Sequence, residues 1–286
     1  MRSFKEGMNN VEKEIKRYGT KRITAWQTKR TQPFWEHLDV LRTAIMKIVA
    51  VAVVFDIVAF FFFKKLFSIL LAPKEDGVIT YRLLDCMAAW TGSLVEPFSV
   101  RLINTGLAGQ FIIHMKTALC AGVLCASPYI LYQLFRFVSP ALYANERRYV
   151  TRVVGGGYMM FGLGVLISYF LIFPLTFRFL GTYQVSGDVD NLISLDSYIS
   201  TLVMMCLAMG IVFEIPILSW LFAKLGFLST DFMRRYRKHA IVIILVVAAI
   251  ITPTSDVFTL SLVALPMWIL YEVSIWIVVK QSNVRI

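Results

Sequence analysis

Charged residues are scarce in this 286-residue sequence. Asp, Glu, Lys and Arg make up only 16% of it, while 58% of the residues are hydrophobic and the mean hydropathy is +0.68. A soluble domain of this length has too little interior to bury so many apolar side chains. The scarcity of charge therefore argues against a soluble globular protein and indicates an integral membrane protein.

Acidic residues and cysteines are also few, with 18 Asp and Glu and four Cys. The formal net charge is consequently +11, an excess that we attribute to membrane topology and to contact with anionic lipids. Nucleic acid is not expected as a partner, because the basic residues flank apolar runs and form no single face. Three cysteines fall inside apolar runs and Cys86 stands alone, so we expect no disulfide, metal site or cofactor.

The first 33 residues contain no apolar stretch and are rich in Lys and Arg. A cleavable signal peptide needs such a stretch, so this segment is expected to remain as an uncleaved cytoplasmic extension. No repeat follows it. The sequence is therefore divided into a basic extension over residues 1–33, one transmembrane domain over 34–280 and a short cytoplasmic tail over 281–286.

Six long apolar runs follow the extension. They cover residues 44–63, 113–135, 153–173, 202–222, 240–251 and 258–279. A helix needs about 20 apolar residues to cross a hydrocarbon core of ~30 Å, so the first four runs are predicted to span the membrane. The last two are predicted to be shorter spans, and the fifth is short enough to require local thinning of the bilayer or packing against other helices.

The distribution of basic residues predicts the orientation of these spans. Lys and Arg number 21 on the side that carries both termini and seven on the other side. This bias places both termini in the cytoplasm, in agreement with an even number of spans. The outer segment from residue 64 to 110 is long and partly apolar, and it is expected to form short helices over the bundle.

Proline occurs within or at the ends of most of the spans after the first, at Pro128, Pro140, Pro174, Pro216, Pro253 and Pro266. Each removes a backbone donor and bends its helix. Bent helices predict a cupped bundle with concave surfaces, in which freed carbonyls find other partners. Proline is also common in membrane helices generally, so this pattern alone leaves the two interpretations equally supported.

Three acidic residues lie inside apolar runs: Asp56, Glu214 and Glu272. A charged carboxylate in such a place costs at least ~2.5–3.5 kcal/mol, so a partner, a water-filled cavity or protonation must offset the cost. Glu214 lies in mid-span beside Pro216, and we interpret it as functional rather than as a hydrogen-bonded structural residue. Asp56 and Glu272 lie nearer the ends of their runs, where the preferred interpretation is a structural residue that snorkels to the membrane surface or pairs locally.

The cytoplasmic side carries further acids. The amphipathic segment before the first span contains Glu36 and Asp39, and the loop after the second span places Glu146 beside Arg147 and Arg148. From the residues alone, Glu146 is most simply a surface ion-pair residue. No nucleotide-binding loop, metal-ligand spacing or catalytic triad is present, so the chain is not expected to be an enzyme.

A series of motifs in a fixed order resembles the TatC family, the core receptors of the twin-arginine protein translocase. The motifs are His37-Leu38 with Leu41-Arg42, Ser127-Pro128-Tyr129, Pro140-Ala141-Leu142-Tyr143 with Glu146-Arg147-Arg148, Phe173-Pro174-Leu175, Phe213-Glu214-Ile215-Pro216, Thr252-Pro253 with Asp256, and Leu265-Pro266 with Tyr271-Glu272. Each motif is weak alone. Together, at the observed spacing of six spans, they are specific.

The resemblance implies a glove-shaped bundle in the bacterial inner membrane that exports folded proteins with the proton motive force. It implies partners as well: TatA- and TatB-type single-span proteins, further copies of the chain, and signal peptides with paired arginines. In the family, an acid matching Glu146 and an acid of the lead-in segment hold these arginines. Here Val40 occupies the usual lead-in position, so the second contact is expected from Asp39 or from Glu36. A one-residue shift turns a helical side chain by about 100°.

Two further expectations concern the membrane interior. The last two spans are predicted to form the docking edge for partner helices, and Met205 and Glu214 are predicted to extend this surface on a concave face. Two other function classes remain open. A secondary transporter would require repeated halves, and a membrane enzyme or assembly scaffold would need a constellation that the sequence does not display.

Overall fold

The computed structural model describes residues 34–74, 102–138, 150–183, 192–252 and 256–284, and almost all of them are helical. The α-helices are α1 Phe34–Phe61, α2 Phe63–Leu71, α3 Gly109–Val138, α4 Val150–Ile167, α5 Phe173–Thr182, α6 Leu195–Val212, α7 Ile215–Lys224, α8 Thr230–Arg235, α9 Arg237–Ile251 and α10 Val257–Val284. Two short strands are present as well, β1 Leu102–Ile103 and β2 Ile193–Ser194. The chain divides into two units, residues 1–47 and 48–286. In the first unit, the described residues form the start of α1.

Five segments of the described chain are long and apolar enough to cross a membrane. They are Leu38–Phe61, Gly109–Phe137, Val153–Thr182, Leu195–Lys224 and Val257–Gln281. The prediction of an all-α, multi-pass membrane protein is confirmed. The predicted fifth span corresponds to α9, which has only 15 residues and does not reach the length of the others. The expectation that the last span is short is wrong, since α10 runs for 28 residues and continues through Pro266.

Two of the spans are interrupted, each beside a proline. In the third span, a π-helical stretch over Ser168–Ile172 separates α4 from α5, and Pro174 is the second residue of α5. In the fourth span, a turn at Phe213 and Glu214 separates α6 from α7, which begins just before Pro216. A proline has no N–H to donate to the preceding turn, so both breaks follow from local sequence. Pro128 lies inside the continuous helix α3.

Helix α6 supplies much of the main core. Its buried side chains recur at a spacing of three or four residues, which places them on a single helical face. They include Tyr198, Leu202, Met205 and Met209, all at most 2% exposed, and they pack with side chains of α9 and α10 such as Ala248 and Val263. The first span contrasts with this, since only 6% of its most apolar window is buried within the chain.

Contacts at one end of the bundle link the third and fourth spans to α2 and the segments before the second and fourth spans to each other. The hydroxyls of Tyr169 and Tyr198 donate hydrogen bonds to the carbonyls of Ile69 and Leu70 in α2. The strands β1 and β2 pair in parallel, with Leu102 opposite Ile193. The prediction that the segment after the first span contains a short helix is therefore confirmed for residues 63–71.

Candidate functional site

Glu214 lies at the break of the fourth span. The backbone of this turn is hydrogen-bonded, because the Glu214 carbonyl accepts from the N–H groups of Ile217 and Leu218 at 3.1 and 2.9 Å. The side chain is 5% exposed, and neither carboxylate oxygen has a hydrogen-bond partner among the residues that the structure describes. Glu214 is thus a buried acid with unused acceptors inside a membrane span, a position that is costly unless function requires it.

Glycine makes room for this carboxylate. A Cβ atom at Gly157 of α4 would lie 3.1 Å from Glu214 Oε2 and 3.2 Å from Cε2 of Phe135. A larger residue at position 157 would therefore press on both the acid and the aromatic ring beside it. The side chain of Glu214 is buried within the chain, and the prediction that it faces a concave surface stays a prediction.

The helices α4 and α6 approach each other closely near this site. A Cβ at Gly164 would come within 2.6 Å of the Met209 carbonyl oxygen, and a Cβ at Gly210 within 2.7 Å of the Phe161 ring. Small residues at a helix interface permit such approach, which is the usual means of helix association in lipid. This contact fixes the end of α6 and hence the position of Glu214.

Met205 does not belong to an exposed surface. Its side chain is 0% exposed and lies within the main hydrophobic core. The prediction that it extends a docking surface is therefore wrong. Sequence reasoning missed this because an unbroken apolar run carries little information about which face is internal.

The acids expected to bind signal peptides are only partly described. Asp39 lies in the first turns of α1 with an exposed side chain, and its carbonyl accepts a hydrogen bond of 2.8 Å from Thr43 Oγ1. Glu36 lies in the same helix, with its side chain outside the described residues. Glu146, Arg147 and Arg148 also lie outside the described residues, as do Pro140 and Pro253. The predicted grouping of Glu146 with a lead-in acid stays a prediction.

Two other family-motif acids have local partners. Asp256 precedes α10, and its Oδ2 accepts a hydrogen bond of 2.7 Å from the backbone N–H of Thr259, as an acid before a helix commonly does. Glu272 Oε2 lies 2.9 Å from Arg237 Nη2, which joins α10 to the start of α9. The preferred interpretation of Glu272 as a locally paired residue is confirmed.

Asp56 occupies a more isolated place than the sequence suggested. Its Oδ1 is buried without a hydrogen-bond partner among the described residues, on the wall of a pocket of about 300 Å³ between α1 and α3. A Cβ at Gly122 would collide with the Asp56 backbone, at 2.7 Å from its Cα, so this glycine sets the close contact of the helices. No local partner for Oδ1 is present among the described residues, and the interpretation of Asp56 as a structural residue stays a prediction.

The polar contact of Lys116 is one that sequence reasoning missed. Its Nζ contacts Asp196 Oδ1 at 2.7 Å and Ser200 Oγ at 3.0 Å, and so connects α3 to the start of α6. Asp196 and Ser200 are neighbours on one helix, but Lys116 lies 80 residues before Asp196, so no local pattern could have revealed the cluster. Within the described residues, no group of His, Cys, Asp and Glu is arranged to hold a metal ion.

Comparisons with known proteins agree over most of the chain. The family model for the Sec-independent protein translocase protein (TatC) matches residues 36–266. The TatC protein of Blattabacterium sp. subsp. Periplaneta americana is 33% identical over 255 residues, which cover 87% of this chain and 96% of that protein. The TatC protein of Aquifex aeolicus is 35% identical over 246 residues, which cover 86% of this chain and 94% of that protein.

Solved structures show the same similarity. A crystal structure of the twin-arginine translocase receptor TatC superposes on this chain with a TM-score of 0.71 at 33% sequence identity. The superposition covers 86% of this chain and 99% of that one. A second crystal structure of the receptor, in the detergent DDM, gives a TM-score of 0.69 at 34% identity. The arrangement of helices around the buried acid therefore has a close counterpart among solved structures.

Proposed function

The chain belongs to the TatC family of Sec-independent protein translocase proteins, and from this premise we propose that it is the receptor for precursors carrying twin-arginine signal peptides. The observation that carries the proposal is the match of the family model over residues 36–266. Such a receptor binds the signal peptide at the cytoplasmic face, assembles with other translocase subunits, and exports folded proteins with the proton motive force.

The proposed location is the bacterial inner membrane, with both termini in the cytoplasm. The excess of Lys and Arg on the side that carries the termini, 21 against seven, supports this orientation. It places the segment 139–149, which joins α3 to α4, on the cytoplasmic side together with the start of α1.

The proposed signal-peptide site contains Glu146 and one acid from the start of α1, Asp39 or Glu36. Two adjacent guanidinium groups require planar acceptors close together, and two carboxylates from different segments meet this need with bidentate hydrogen bonds. Both Asp39 and Glu36 lie at the beginning of a helix, and the exposed side chain of Asp39 is available to a ligand. Arg147 and Arg148 directly follow Glu146 in sequence and are proposed to belong to the same signal-peptide site.

The test is site-specific crosslinking of a twin-arginine precursor to membranes that contain Glu146→Gln. We expect the crosslink to be lost while membrane insertion remains, because the amide has the shape of the acid without its charge. Glu272→Gln is the matched control, since Glu272 is already paired with Arg237 and should leave the crosslink unchanged. Undiminished crosslinking to Glu146→Gln would contradict the proposed site.

The same assay decides between the two lead-in acids. Asp39→Asn should reduce the crosslink strongly if Asp39 has taken over the role of the usual family acid. A silent Asp39→Asn together with a severe Glu36→Gln would instead assign the second contact to Glu36.

The proposed partners are TatA- and TatB-type proteins with a single membrane span, docked on the last two spans. Helix α9 supports this assignment because most of its aliphatic side chains are not used within the chain. Val242, Val246 and Ile250 are each at least 55% exposed, and they follow one another at the spacing of one helical face. The buried Ala248 lies on the opposite side, so the exposed Ala249, and not Ala248, is the small residue available for close approach.

A further inference from the structure

A polar pocket of about 430 Å³ lies where the fourth and the last spans end. Its wall includes Thr230, Asp231 and Arg234 from α8, and Val278, Val279 and Gln281 from α10. The fourth span ends at Lys224 and the last at Gln281. The ends of membrane spans lie at the level of the lipid headgroups, so this pocket faces the headgroup layer.

The pocket contains one acid and one base that do not neutralise each other. Asp231 and Arg234 are three residues apart on the same helix, which places them on the same face. Neither has an ion pair or a hydrogen bond to any side chain in the described ranges. A wall with one negative and one positive group, neither of them paired within the described residues, complements a ligand that carries one charge of each sign.

Two further polar atoms on the wall are buried and lack partners. Thr230 Oγ1 and Gln281 Oε1 have no hydrogen bond within the described residues. The amide oxygen of Gln281 only accepts hydrogen bonds, and a threonine hydroxyl also accepts. Ser229 is different, because its Oγ already accepts from the backbone N–H of Phe232 at 3.3 Å. The unsatisfied atoms, together with the Asp231 carboxylate, require a ligand with several N–H donors.

We propose that this pocket binds the phosphoethanolamine headgroup of a membrane lipid. A primary ammonium has three N–H donors, which match the Asp231 carboxylate, Thr230 Oγ1 and Gln281 Oε1. The guanidinium of Arg234 binds the phosphate through parallel hydrogen bonds. Val278 and Val279 continue the pocket as an apolar wall for the glycerol and the first acyl carbons, which a soluble zwitterion would leave empty.

The same chemistry excludes the other common headgroups. Phosphatidylglycerol supplies a phosphate for Arg234 but has no cation for Asp231. Phosphatidylcholine carries the same two charges, yet its quaternary ammonium has no N–H to satisfy Thr230 and Gln281. The pocket is therefore expected to distinguish headgroups by their N–H donors as well as by their charge.

A methylation series tests this directly. The purified full-length chain is kept in a nonionic detergent, and phosphatidylethanolamine or its mono-, di- and trimethylated forms, the last being phosphatidylcholine, are titrated in while bound lipid is counted by native mass spectrometry. All four lipids have the same charge and differ in N–H donors. We expect affinity to fall with each methyl group, with a loss of about tenfold or more across the series, because buried acceptors are left unpaired.

Variants locate the binding on the pocket. Asp231→Asn and Arg234→Gln should each weaken binding of phosphatidylethanolamine by about tenfold, and Asp231→Asn should also flatten the methylation series. Arg235→Gln is the matched control, since Arg235 lies on the same helix and does not line the pocket. Each variant is first shown to be monodisperse with an unchanged unfolding temperature, and the two variants are independent tests if one of them fails to fold.

Three results would overturn the proposal. Equal affinity for the four lipids, or wild-type affinity in both pocket variants, would show that the pocket does not recognise the headgroup. Saturation by soluble phosphoethanolamine at the same concentration as the lipid would assign the pocket to a soluble ligand. Binding that appears only after residues 282–286 are deleted would show that the tail of the chain occupies it.

Discussion

At the scale of single residues, Glu214 is a costly side chain, because it is an acid buried inside a membrane span. A carboxylate held in a membrane span costs ~2.5–3.5 kcal/mol or more if it remains charged, and both Glu214 oxygens lack partners within the part of the chain that the structure describes. We infer that the residue is kept for a polar group that reaches the helix break during transport. Because Glu214 is buried, the contact between its carboxylate and that polar group is expected to form inside the bundle.

Substitutions of Glu214 test this role. Glu214→Ala is expected to impair export of a folded precursor much more than it impairs crosslinking of the signal peptide, because the residue lies inside a membrane span and is not part of the proposed signal-peptide site. Export and crosslinking are measured in the same membrane preparation. Normal export by both Glu214→Ala and Glu214→Gln would show that the carboxylate is only structural.

Gly157 predicts a stability effect with a neighbouring control. Gly157→Ala places a methyl group 3.1–3.4 Å from the Glu214 oxygens and the Phe135 ring, and overpacking of this kind costs about 1–3 kcal/mol. Gly155→Ala in the same helix meets no atom within 4 Å and should leave stability nearly unchanged. Thermal unfolding in detergent compares the two variants. Equal unfolding temperatures would contradict the tight contact.

The ion pair between Arg237 and Glu272 should contribute little to stability. Their side chains are 47% and 34% exposed, and exposed pairs typically contribute between 0 and about 1 kcal/mol. Glu272→Gln is therefore expected to lower the free energy of unfolding by roughly 1 kcal/mol or less. The exchange Arg237→Glu with Glu272→Arg should recover that loss. A much larger loss would mean that the pair is screened from water by lipid.

At the scale of elements, α9 presents two faces of different character. Its exposed side carries Val242, Val246 and Ile250, whereas Ile244, Ala248 and Ile251 are buried within the chain. If the exposed side is the docking edge, single cysteines at 242, 246 and 249 should crosslink to a partner-subunit helix. Cysteines at 244 and 248 are the controls and should not crosslink.

Crosslinks that do not recur with the 3.6-residue period of a helix would contradict docking on α9. Crosslinks confined to the first span would also contradict it, and would assign docking to that largely exposed helix.

Element boundaries were predictable where composition determines them. Apolar runs located the spans because each must bury its backbone in lipid within its own helix, and the prolines predicted the breaks near Pro174 and Pro216. The close contacts were not predictable. Gly122 accommodates Asp56 and Gly157 accommodates Glu214 only after helices distant in sequence have packed. Likewise, the inward face of α6, with Met205 on it, is set by its neighbours and not by its uniform apolar sequence.

At the scale of the whole molecule, the number of crossings depends on α9. A 15-residue helix is about 22 Å long, which is shorter than the ~30 Å hydrocarbon core. If α9 crosses, both termini are cytoplasmic; if it does not, they lie on opposite sides. We expect the bilayer to thin around it.

Labelling with a membrane-impermeant thiol reagent tests whether α9 crosses the membrane. In a cysteine-free background, single cysteines at positions 5 and 285 should be labelled from the cytoplasmic side of the membrane, and a cysteine at position 187 from the opposite side. Labelling of position 285 together with position 187 would show that α9 does not cross.

The pairing of β1 with β2 also has a consequence for biogenesis. Leu102 precedes the second span, whereas its partner Ile193 directly precedes the fourth. The second and third spans are therefore synthesised and inserted before the two strands can pair. Because the pairing is parallel, it cannot be closed by a simple hairpin and must wait for that intervening chain. The pairing therefore follows insertion of the second and third spans, and it joins the residues just before the second span to those just before the fourth.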